Sequence, residues 1–161
     1  MIRLLPSVPE SIHDFRTNPW PCQKTLVTPR KNMRSFLSTL LTVFPIEQGT
    51  ASTDQVVFEP DNLMDLLKGH EVIIENRWSF CIEASKAEDV SALLDTMLND
   101  WIDFVFVPSP AAFAIYADHD EYLTIYTPTT QQLNHLIDRL ELEGFSFIGD
   151  YMRPSEGAIW R

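Results

Sequence analysis

Apolar positions along this chain keep two rhythms. After Met33, Phe36, Leu37, Leu40, Leu41 and Phe44 follow three, four, seven, eight and eleven residues later, the spacing of one helical face. Thr28-Pro29 ahead of them offers a hydroxyl cap and a proline suited to a first turn, and Pro45 stops the run. A shorter helix opens at Pro60 and carries Leu63, Met64, Leu66 and Leu67 as far as Gly69. Ser85-Lys86-Ala87-Glu88 has the form of a capping box, in which serine and glutamate satisfy free amides. Behind it Val90, Leu93, Leu94, Met97, Leu98 and Trp101 share a face. Thr127-Pro128 repeats the threonine–proline start, with Leu133, Leu136, Ile137 and Leu140 as the stripe and Gly144 as the stop.

The second rhythm has period two. EVIIEN (71–76) and WSFCIEA (78–84) read as strands, the latter placing Trp78, Phe80 and Ile82 on one side. IDFVFV (102–107), AFAIYA (112–117) and EYLTIYT (121–127) follow, the last two joined through Asp118-His119-Asp120 as a hairpin. FSFIGDYM (145–152) is a final strand bent at Gly149. Residues 45–58 read as a loop ending in Val56-Val57-Phe58. Residues 1–28, broken by Pro6, Pro9, Pro19 and Pro21 and followed by Pro29, read as an extended arm tacked down by Leu4, Leu5, Phe15 and Trp20.

This order predicts one α+β domain over 1–161: an extended arm (1–28), a helical segment (29–69) and an α+β body (71–152). Helices pack on a mostly antiparallel sheet. Residues 78–152 resemble a split β-α-β unit of the ferredoxin-like, βαββαβ kind with an added strand.

Length and charge narrow the function. A chain of 161 residues with 45% hydrophobic and 22% charged positions is neither disordered nor fibrous. Its net charge of −11 argues against a nucleic-acid partner and against docking on anionic membrane. That charge is uneven, +3 over residues 1–50 and −14 over 51–161, so the acidic part can face a cationic partner. The longest uncharged apolar stretch, residues 104–117, holds two prolines and falls short of the about 20 residues a membrane helix needs. The start lacks a signal-peptide core, so Cys22 and Cys81 are expected as reduced thiols in the cytoplasm.

No catalytic signature emerges. The five glycines fit neither a dinucleotide fingerprint nor a phosphate loop, and no cofactor is implied. Cys81 lies within a strand with no histidine beside it, and the serines lack a nucleophile-elbow setting. Asp118-His119-Asp120-Glu121 is the most suggestive polar group, as a metal or proton-transfer site, a partner contact, or a solvated hairpin tip. Successive residues point to alternate sides, so the four cannot converge on one ion. Arg30, Lys31 and Arg34, at the start of the first long helix, read as a solvated face, as a hold for an anion, or as a dock for the chain's own acidic half or a second subunit.

The acidic body, the aromatic hairpin FAIYADHDEYLTIYT (113–127) and the threonine–proline helix start after it resemble bacterial immunity proteins. Those are small cytosolic inhibitors of polymorphic or contact-dependent toxins. The resemblance spans about residues 71–152 and carries no diagnostic motif. It implies a binding protein without catalysis whose partner is a cognate toxin, basic where that toxin is a nuclease. Asp118, Asp120 and Glu121 would supply charge, with Tyr116, Tyr122 and Tyr126 as aromatic anchors. Tyr116 shares its strand with Phe113, so some of these rings belong to the core. A small-ligand regulatory domain and an enzyme lacking a familiar signature are the alternatives.

Overall fold

Eight strands lie in one antiparallel sheet, in the order β1-β4-β3-β5-β6-β7-β2-β8, in the computed structural model, which describes residues 1–76, 78–149 and 151–153. The strands are β1 (Ile2–Leu5), β2 (Cys22–Val27), β3 (Gly49–Gln55), β4 (Cys81–Ala84), β5 (Asp103–Pro108), β6 (Ala114–Ala117), β7 (Tyr122–Thr127) and β8 (Phe147–Ile148). The α-helices are α1 (Glu10–Thr17), α2 (Met33–Val43), α3 (Asp61–Gly69), α4 (Ala87–Asn99) and α5 (Thr130–Leu142). The α+β class and the antiparallel sheet agree with the sequence pattern.

Alternation along each strand builds two unlike layers. Ile82, Ala51, Phe104, Phe106, Ile115, Leu123, Ile125 and Leu26 face α2–α5 and form the main core. The helices bring Phe36, Leu40, Leu63, Leu94, Leu136 and Leu140 to it, all fully buried. On the opposite side α1 sets Ile12 and Phe15 over Val105, Val107, Ala114, Tyr116 and Tyr126. That second layer is small, and the rest of its face is polar.

Residues 78–152 keep the expected order of elements, but pairing is wider than in a lone split unit. The α4 crossover joins β4 to β5 with β3 between them, and the α5 crossover joins β7 to β8 with β2 between them. Both inserted strands come from segments read as non-sheet. Residues 1–28 are not an extended arm: they form β1, α1 and β2, and β2 pairs over its full length with β7. The prolines sit between these elements, where a missing amide costs nothing. Residues 45–58 hold β3, an interior strand of small and polar residues. Its Gly49 is required by close packing, since a Cβ there would overlap the Phe106 ring.

Other expectations are corrected. Residues 71–76 form no strand despite their β-branched run, and Trp78 lies outside β4 with 61% of its surface exposed. Thr28, Ser85 and Thr127 cap no helix. Thr129 caps α5, its hydroxyl accepting from the Gln132 amide at 3.3 Å. The N-terminus of α3 is held from a distance: buried Asp100, just past α4, accepts from the amides of Asn62 and Leu63 at 3.3 and 2.8 Å. Trp101 ends α4 in the left-handed region, φ 56°, beneath the Arg30 guanidinium. The final strand shortens to two residues, and Asp150 lies outside the described residues.

Candidate functional site

The β6–β7 hairpin and the polar side of the sheet beneath it gather most of the chain's strongly perturbed groups. Strand alternation points Asp54 of β3, Asp103 of β5, Tyr116 of β6 and Thr124 of β7 to the α1 side. Two arginines from elsewhere in the chain reach into this surface. Arg16, in the last turn of α1, donates to Asp54 Oδ1 at 2.5 Å and to Ser52 Oγ at 3.2 Å. Arg153 is buried and donates to Asp118 Oδ2 and Thr124 Oγ1, both at 3.0 Å. Its guanidinium carbon lies 4.1 Å from the centroid of the Tyr116 ring. The Gln23 side chain accepts from the Arg153 amide at 2.8 Å and donates to its carbonyl, pinning the backbone there.

Burial dominates the electrostatics. Loss of water pushes the Asp54 carboxyl up to about 6, against the pull of Arg16 and with a push from Asp103. Burial likewise raises Asp103, opposed by its hydrogen bonds from His119. His119 is raised by its bond to Asp103, where Nδ1 meets Oδ1 at 2.8 Å. Burial also raises the Tyr116 hydroxyl, and lifts that of Tyr126 to about 12. Both phenols therefore stay neutral through the physiological range.

The six contact residues expected from the sequence divide. Asp118 turns inward, pairing with Arg153 and accepting from the amides of Asp120 and Tyr122 at 2.9 and 3.1 Å. Tyr116 is buried under Arg153, and Tyr126 is buried against Phe15. Tyr122 is half-buried and stacks on Tyr151 at 5.3 Å. Asp120 and Glu121 alone stand exposed at the tip. Glu121 sits in the left-handed region at φ 73°, and its carbonyl accepts from the Thr28 amide at 2.7 Å.

Chemically, the Asp103–His119 pair has the geometry of a base and its orienting carboxylate. Among the described residues no serine or cysteine is bonded to it: Cys81 is buried and donates to Ser52 Oγ at 3.3 Å, and half-buried Cys22 lies beside the Thr130 hydroxyl. Among the described residues no group of three or more His, Cys, Asp or Glu side chains is placed to hold a metal ion. The sequence signalled Asp118 and His119. It did not signal Arg16, Asp54, Asp103 or Arg153, which meet only through pairing of distant segments. What the arrangement does evidently is hold α1 and residues 151–153 onto the sheet through two arginine–aspartate pairs. No family model, curated protein or solved structure matches the chain.

Proposed function

We propose that this chain is an acidic cytoplasmic binding protein of the immunity type, which inhibits a basic toxin domain by covering its active site. The observation that carries the reading is uncompensated surface charge. Of the +3 segment, Arg16 is drawn in by Asp54 and Arg3 pairs with Glu83 at the surface, while Arg30, over Trp101, and Lys31 and Arg34 beside it form a small basic patch apart from the acids of α3 and α5. Asp61, Asp65, Glu71, Glu75, Asp138 and Glu141 remain exposed. An acidic face of this kind speeds encounter with a cationic partner and occupies positions where a nuclease would hold phosphates. This role asks for no catalysis by the chain. No helix among the described residues is long and apolar enough to cross a membrane.

The test is a growth assay in which the chain is co-expressed with candidate basic toxins, beginning with the product of any toxin-like gene beside its own. Co-expression is expected to restore growth, and association of the purified pair is expected to slow steeply with added salt while dissociation changes little. Failure of both rescue and binding, with turnover or binding of a metabolite instead, overturns the proposal.

A further inference from the structure

We infer that the basic partner docks on the extended segment Val72–Glu75 and the two hollows beside it, inserting an apolar side chain flanked by lysine or arginine. This rests on the binding reading above and deepens it by moving the contact away from the hairpin tip.

Val72-Ile73-Ile74 is a β-branched run of the kind that joins sheets, yet it is left out of this one. Glu71, in the left-handed region at φ 59°, turns the chain outward after α3. The Val72 amide bonds back to the Leu67 carbonyl at 2.9 Å, but the amides of Ile73, Ile74 and Glu75 find no backbone acceptor among the described residues. Ile73 is 81% exposed, beside exposed Met64 and Leu4. An isolated exposed apolar side chain is ordinary, whereas several around concave surface mark a contact site.

The concave surface is present on both sides of the segment. One hollow of about 470 Å³ lies against α3, lined by Met64, Lys68, Val72 and Ile74. The other, about 410 Å³, lies against Leu4, Leu5 and Phe80 beside β1, the strand that ends the sheet. Both are open grooves within the about 300–1,000 Å³ range of ligand-sized clefts, roomy enough to admit a large side chain. The amides of residues 73–75 and the outer edge of β1, without backbone partners among the described residues, also offer main-chain hydrogen bonds to an extended partner.

Charge selects the occupant. Asp65, Glu71 and Glu75 ring the segment, all exposed; among the described residues none of them is in an ion pair and Lys68 is the one cation lining the two hollows. A second copy of this chain would bring the same carboxylates face to face, and anionic lipid would be repelled. A basic protein satisfies both the hollows and the carboxylates.

The test uses the full chain, isotope-labelled, titrated with the peptide Lys-Lys-Val-Ser-Ile-Ser-Val-Lys-Lys and with a twin carrying Glu for every Lys. The lysine peptide alone is expected to shift amide resonances of residues 64–75 and of Leu4 and Leu5. Met64→Ser with Ile73→Ser, which removes apolar surface without changing charge, is expected to weaken it about tenfold. An unchanged denaturation midpoint checks that this variant stays folded. Shifts centred on 118–122, equal binding of both peptides, no binding, or self-association through 72–75 would each overturn the assignment. If the double variant protects cells from a toxin that the parent neutralises, and does so equally well, this surface falls and the inhibitor reading stands. If the peptide maps to 64–75 but the parent gives no protection, the inhibitor reading falls and the surface stands.

Discussion

His119 Nδ1 meets Asp103 Oδ1 at 2.8 Å, joining a half-exposed ring at the hairpin tip to a carboxylate buried in β5. The backbone amide of His119 also donates to the same oxygen, at 2.7 Å. One carboxylate thus fixes both the ring and the turn that carries it. The pair lies near Asp54, which feels Asp103 directly, so protonation in this cluster is linked to folding.

The first prediction is an acid-shifted stability profile. Asp54 and Asp103 are raised, so the folded chain holds their protons more tightly than the unfolded chain. Their favourable contribution is complete below the unfolded carboxylate value and is lost as pH rises. For Asp54 the window runs from 3.8 to about 6, a loss on the order of 3 kcal/mol. His119 is also raised, so its contribution is present below about 6.5 and is lost as pH climbs through its folded value. All three effects have one sign. Urea midpoints are expected to be higher at pH 5 than at pH 8, and Asp54→Asn should flatten the profile between pH 4 and 6. A profile that rises with pH contradicts the assignment.

A second prediction concerns Arg153. Removing its guanidinium leaves Asp118 without its cation and takes one of two hydrogen-bond partners from Thr124 Oγ1, which keeps the Thr25 hydroxyl at 2.7 Å. Arg153→Ala is expected to cost about 3–5 kcal/mol, read from denaturant midpoints. Arg153→Lys should recover only part of this, because an ammonium cannot bond both partners while lying flat over Tyr116.

Packing supplies the third. Leu94 on α4 is fully buried and Ile137 on α5 nearly so. Leu94→Ala is expected to destabilise by about 2–5 kcal/mol, with Ile137→Ala toward the lower end of that range. Gly49→Ala makes the opposite error, forcing a methyl into the Phe106 ring. Its expected cost is about 1–3 kcal/mol.

How much of this was readable in advance depended on whether a segment's pattern was local. The α4 and α5 stripes and the β6–β7 hairpin were legible because period and burial agree residue by residue. Strand β3 was not, because Gly-Thr-Ala-Ser-Thr-Asp-Gln owes its burial to thin packing under Phe106 rather than to apolar bulk. EVIIEN misled for the converse reason: its propensity is that of a strand, but among the described residues no strand of the sheet pairs with it. At the site, Asp118 could be named from turn chemistry. Its partner Arg153 lies 35 residues away, and Arg16 finds Asp54 across 38, so neither pairing had a local signal.

The last prediction separates charge at the hairpin tip from charge beneath it. Asp118, Asp120 and Glu121 look equivalent as a run of acids, but only the last two face solvent. Asp118→Lys would place an ammonium against buried Arg153 and remove the acceptor for the Asp120 and Tyr122 amides. That variant is expected to fail in stability, losing at least about 3 kcal/mol. Asp120→Lys with Glu121→Lys should leave the denaturation midpoint within about 0.5 kcal/mol of the parent. It should still slow association with a basic partner through the general field of the acidic half, and added salt should erase the difference. Dissociation should hardly change, because these side chains are not the anchors. A large rise in dissociation rate would instead make the tip itself the contact and displace the segment at 72–75 from that role.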